Sequence, residues 1–139
     1  MTLDLHLKIV GLLMFGIIVL NFFVWKKYQW STELLKVSLL TRQVFKVHTF
    51  FIMLTIGMFA ALSMVYTQEL LTPTPLAKLV LAGLTVFWGC RLVIQWCVYD
   101  AKLWRGQRME TFVHFLFTGV WGYFTAVYGV ALWRQMNVE

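Results

Sequence analysis

Polar residues are almost absent from four long stretches of this sequence and gather in the segments between them. The apolar stretches run roughly from Ile9 to Trp25, Val44 to Val65, Leu79 to Val98 and Phe112 to Trp133. Each is close to the ~20 residues that a helix needs to cross a hydrocarbon core of ~30 Å. Backbone groups find no water in lipid, so stretches of this length must close their hydrogen bonds internally, as helices. The short alternating segments of a membrane β-barrel do not occur. The expected helices cover about 9–25, 32–66, 75–98 and 111–133, as a single domain over 1–139. The expected fold is an all-α, integral membrane four-helix bundle.

Helix boundaries follow from the flanking residues. Ser31 or Thr32 suits the N-cap of the second helix, with Glu33 in its first turn. Started there, this helix would exceed ~50 Å and must project beyond the hydrocarbon. In the turn Thr72-Pro73-Thr74-Pro75, Thr74 suits the cap of the third helix and Pro75 its first position, where no donor is lost. The first stretch lacks a small-residue cleavage pattern after it and is read as a retained helix, almost featureless and facing lipid. Gly57 with Ala61, and Gly122 with Ala126, form small-xxx-small pairs of the kind that lets membrane helices approach closely. Trp25, Tyr28 and Trp30 are read as an interfacial aromatic belt, and Tyr99–Glu110 as an interfacial loop.

Charge orients the bundle. Lys26, Lys27, Lys36, Arg42, Lys46, Lys102, Arg105 and Arg108 lie in or beside the first and third loops, eight against Lys8, Lys78 and Arg134 on the other side. By the positive-inside rule those two loops are cytoplasmic, so the N-terminus and C-terminus are both expected to be non-cytoplasmic. The net charge of +6 therefore points to anionic lipid head groups, with no soluble basic face for nucleic acid. A bacterial inner (cytoplasmic) membrane is the expected location. Composition agrees: 60% of the residues are hydrophobic and 13% charged, an excess that lipid can solvate and water cannot. Cys90 and Cys97 lie seven residues apart on one helix, about 10 Å along its axis, too far for a mutual disulfide.

The few polar residues inside the hydrocarbon fall at similar depth. His48, Gln95 and His114 lie near the cytoplasmic boundary of three different helices, and Arg91 one turn deeper than Gln95. Trp88, Arg91, Gln95 and Tyr99 make one stripe of the third helix. His114, Thr118, Gly122, Thr125 and Gly129 make another on the fourth. A charge within the membrane is costly and normally faces the bundle interior. His48, Arg91, Gln95 and His114 are thus the candidate ligand-binding residues. The two histidines suggest axial ligation of a haem b, with Arg91 balancing its propionates. A quinone or a lipid head group would use the same residues as hydrogen-bond donors. Arg91 snorkelling to the head groups, with both histidines merely satisfied by neighbouring helices, is the plain structural alternative. His6, at the opposite end, is read as interfacial.

The size, the four helices and the basic cytoplasmic ends look like the membrane-associated glutathione-transferase and eicosanoid family, with Arg91 and Tyr99 similar to an arginine-tyrosine pattern there. That resemblance implies a membrane enzyme acting on lipophilic substrates. Arg42 to His48, however, lacks the glutamate and asparagine of that family's second helix, so the likeness is one of architecture. Three functions are expected in order. The first is a small membrane protein binding an anionic or redox-active amphipathic ligand. The second is a non-catalytic accessory or scaffold subunit, docking another membrane protein or a second copy of itself. The third is the lipophilic-substrate enzyme.

Overall fold

The computed structural model describes residues 2–27, 29–98 and 108–137. Among them there is no strand. The elements are α1 (Leu3–Lys27), the one-turn α2 (Trp30–Glu33), a 3-10 turn (Leu34–Lys36), α3 (Leu39–Val65), the short α4 (Thr67–Leu71), α5 (Pro75–Cys97) and α6 (Arg108–Met136). The protein is all-helical, and α1, α3, α5 and α6 are long and apolar enough to cross a membrane. Between 17% and 28% of each span's most apolar stretch is buried. Most of the remaining surface is therefore Leu, Val, Phe and Met side chains that need lipid as their solvent. Tyr28 and the segment Tyr99–Gln107, with its Asp100, Lys102, Trp104 and Arg105, lie outside the described residues.

The chain divides into two compact units, Leu7–Thr67 and Met1–His6 with Gln68–Glu139. In the first, α1 and α3 run antiparallel: Gly11 lies against Ala60 and Met64, Gly57 against Ile18, and Trp25 against Phe45. A Cβ on Gly11 would stand 2.9 Å from the Ala60 carbonyl oxygen and 2.5 Å from Met64 Cγ, so this is the close approach between the two helices. The face of α1 that carries it, Leu7, Val10, Gly11 and Met14, is buried at helical spacing. The first helix is thus not featureless, which corrects the sequence reading. Its inward stripe is as apolar as its outward one and so carries no contrast. Ala61 is exposed and Ala60 buried, so the small face of α3 is Gly57–Ala60 rather than Gly57–Ala61.

The expected helix over 32–66 is interrupted. Ser31 and Thr32 lie inside α2, whose cap residue Gln29 has a left-handed backbone (φ 45°) and makes no side-chain capping bond. Val37 is extended, and Ser38 starts the long helix, its Oγ accepting from the Thr41 backbone N–H at 3.2 Å. A cap with its orphan donor satisfied defines a helix start better than a bare one. The resulting 27 residues of α3 span about 40 Å, which fits a bilayer without overhang. Trp25, Trp30 and Phe45 close this end as an aromatic cluster with centroids 5.3–6.3 Å apart, Trp30 meeting both neighbours edge-to-face.

In the second unit, Thr74 Oγ1 accepts from the Ala77 N–H at 3.1 Å and Pro75 occupies the first turn of α5, as its sequence requires. Helices α5 and α6 are antiparallel partners, with Thr85 opposite Gly129 and Gly89 opposite Thr125. Both threonine hydroxyls donate to their own helix, to the Leu81 and Trp121 carbonyls. Their methyl groups are left to pack over the glycines, 3.7 Å from where a Cβ would stand. Beside these contacts Trp88, Trp121 and Phe124 form a buried aromatic core, and Tyr128 is buried one turn further along α6. Gly122 does not serve as expected: a Cβ there meets nothing within 4 Å.

Candidate functional site: a polar chain between α5 and α6

Helices α5 and α6 bring three of the four sequence candidates together. Arg91 Nη1 donates to Gln95 Oε1 at 3.3 Å, and Gln95 Nε2 lies 3.0 Å from His114 Nδ1. Gln95 and His114 are 8% and 6% exposed, and Arg91 is half-buried. Gln95 stands within one turn of the end of α5, and His114 about 9 Å from the start of α6, so the antiparallel register sets them side by side. One turn back along α5, the Arg91 guanidinium lies over the Trp121 ring, 5.1 Å from its centroid, a cation–π contact. Trp121 in turn stacks on Trp88 with centroids 5.1 Å apart and planes 13° from parallel.

The order of donors in this chain fixes its protonation. The guanidinium is donor-only, so the Gln95 oxygen must face Arg91 and its amide nitrogen must face His114. An amide nitrogen donates, so His114 Nδ1 accepts. The imidazole is therefore neutral, with its proton on Nε2. A protonated ring would set N–H against N–H. Trp96 and Phe115 meet the ring edge-on at 5.7 and 5.6 Å between centroids.

His48 is in the other compact unit, on an exposed face of α3. Its Nδ1 donates to the Val44 carbonyl of its own helix at 2.9 Å. An axial haem ligand coordinates through a ring lone pair. His114 has committed its only lone pair to Gln95. The residues present do not fit a haem held by both histidines. Among the described residues no three His, Cys, Asp or Glu side chains converge on a point that could hold a metal ion.

Two residues of this region carry more than the sequence suggested. Trp88 and Trp121 are 1% and 4% exposed, and neither indole N–H has a hydrogen-bond partner. On α6 the buried positions include His114, Trp121, Tyr128 and Gln135 at heptad spacing, with Phe124, Val127 and Ala131 between them. Thr118 and Gly122 of the expected stripe sit beside them, half-buried. Tyr99, the last member of the α5 stripe, lies outside the described residues. His6 is not simply interfacial: its Nδ1 lies 2.8 Å from the Tyr123 hydroxyl of α6. Comparison of the chain with protein-family models, curated proteins and solved structures finds no match.

Proposed function

We propose that this is a small integral membrane protein that binds the head of an amphipathic ligand against Arg91, Gln95 and His114. Within that reading the ligand's head is rich in acceptors, a quinone carbonyl or an anionic lipid group. The carrying observation is the direction of the Arg91–Gln95–His114 hydrogen bonds, in which Arg91 and Gln95 donate and the His114 ring keeps its N–H on Nε2. The cluster offers a guanidinium, an imidazole Nε2–H and, beside them, the buried indole N–H groups of Trp88 and Trp121. The two indole N–H groups are buried without partners, which is costly, and acceptors on a ligand relieve that cost. Haem is disfavoured by the His114 tautomer, and His48 has no part in this reading.

The basic residues support a cytoplasmic location for the site. Lys26, Lys36, Arg42 and Lys46 lie at or near the α1–α3 connection, and Arg108 opens α6 at the end that carries Gln95 and His114. Both termini are then non-cytoplasmic, and a bacterial inner membrane is the setting that suits the chain.

Retention of ligand through purification tests the proposal. Wild-type protein and Arg91→Leu, purified in mild detergent, are extracted with solvent, and the extracts are compared by mass spectrometry. The wild type retains a quinone or an anionic phospholipid in near-stoichiometric amount and Arg91→Leu does not. Equal retention by the two proteins refutes the proposal.

A further inference from the structure

A second recess lies in the same compact unit, where the first turn of α1, the end of α4 and the last turn of α6 meet. It has a volume of about 350 Å³ and is lined by Thr2, Asp4, Leu71, Pro73, Arg134 and Gln135, among others. Gln135 is 3% exposed, and its Nε2 donates to the Leu70 carbonyl, which fixes the amide and makes Oε1 its acceptor. That Oε1 is buried and has no hydrogen-bond partner. The wall that Gln135 lines therefore asks for a donor.

The same recess carries both signs of charge. Asp4, which accepts from Gln68 Nε2 at 2.9 Å, gives the recess its acidic side chain. Arg134 is exposed, and its guanidinium matches phosphate as a bidentate partner. An anion and a cation are each favoured, within one small volume. Helix ends of apolar spans lie in the layer where lipid phosphates are concentrated.

We infer that this recess binds a short zwitterion made of a phosphate and a primary ammonium, the chemistry of phosphoethanolamine. The phosphate is held by Arg134, and the ammonium donates to Gln135 Oε1 and the Asp4 carboxylate. A trimethylated ammonium has no N–H to give and cannot satisfy either acceptor. The group has two sources, a phospholipid head group or a free small molecule, and the experiment separates them.

In one arm, full-length protein in detergent is titrated calorimetrically with O-phosphoethanolamine and with phosphocholine. In the other, protein in vesicles of equimolar phosphatidylethanolamine and phosphatidylcholine is extracted in detergent and its retained lipid is identified. Preference for the primary ammonium of about tenfold in either arm supports the site, since a lost hydrogen bond to a charged group is of that order. Preference in the first arm includes the free molecule as a source, and preference in the second arm alone marks the lipid. Arg134→Gln, an exposed change, is expected to weaken whichever binding is seen by about tenfold. No binding in either arm, equal treatment of the two head groups, or an unchanged Arg134→Gln overturns the inference. The comparison of head groups uses wild-type protein, so it stands whether or not a Gln135 variant folds.

Discussion

Gln95 donates its amide hydrogen to Nδ1 of His114 across the α5–α6 interface, at 3.0 Å and with both side chains buried. Because Arg91 holds the other end of the amide, this bond selects one tautomer of the histidine. Nitrogen-15 NMR of the labelled imidazole is expected to show Nδ1 unprotonated and Nε2 protonated near neutral pH. Gln95→Leu leaves the buried Nδ1 without its donor and is expected to cost about 1–3 kcal/mol in equilibrium unfolding. Combining it with His114→Leu, which removes both partners, is expected to cost less than the sum of the two single changes. Strict additivity would show that the bond contributes nothing.

The close approach in the α1–α3 pair sits at Gly11, not at the small-residue pairs that spacing alone suggests. Gly11→Ala pushes a methyl group into the Ala60 carbonyl, which is backbone and cannot swing away. The expected loss is about 1–3 kcal/mol, by the usual cost of overpacking. Gly122→Ala meets open space and is expected to fall within about 0.5 kcal/mol of wild type. Thermal unfolding of the two variants in one detergent checks both values, and the reverse order would contradict the packing described.

The positions of the four spans were legible in the sequence because length and hydropathy decide them, and lipid enforces helix wherever they occur. Thr74 and Pro75 were legible as a helix start because their chemistry is local. Ser38 was not, since Ser31, Thr32 and Glu33 offer an equally good local pattern seven residues earlier. Facing was the least legible feature. In a soluble helix the buried stripe is the apolar one, but in lipid both faces are apolar and the contrast vanishes. Leu7, Val10 and Met14 are therefore indistinguishable by hydropathy from Leu12, Phe15 and Val19. On α6 the small and hydroxyl residues suggested the His114–Thr118–Gly122 stripe. The buried heptad runs instead through Trp121 and Tyr128, whose bulk fills the interface. Gln95 and His114 were legible as candidates, together with His48 and Arg91, because polar residues in a span are few. Their pairing was not legible, because depth is read from sequence and facing is not. Trp88 was legible as part of the Arg91 stripe, but the part played by Trp121 was hidden among the chain's seven tryptophans.

The proposed orientation has its own test. With Cys90 and Cys97 replaced, a single cysteine introduced beside Pro73 is expected to react with an impermeant thiol reagent added outside intact cells. Labelling only after the membrane is opened would reverse the topology and place the Arg91 site in the other leaflet.

The central claim is that Arg91 binds an acceptor group between α5 and α6 instead of reaching for the membrane surface. Titration of the purified protein with a short-chain quinone and with a soluble phosphatidylglycerol, followed by tryptophan fluorescence, tests it most directly, since Trp121 lies against the guanidinium and stacks on Trp88. Saturable quenching by one of the two ligands is expected in the wild type. It is lost in Arg91→Leu and only partly restored in Arg91→Lys, because an ammonium lacks the planar fork of a guanidinium. The folded helical spectrum is unchanged in all three proteins. If neither ligand saturates the wild type, or if leucine and lysine bind as well as arginine, Arg91 is a snorkelling side chain and the account is wrong.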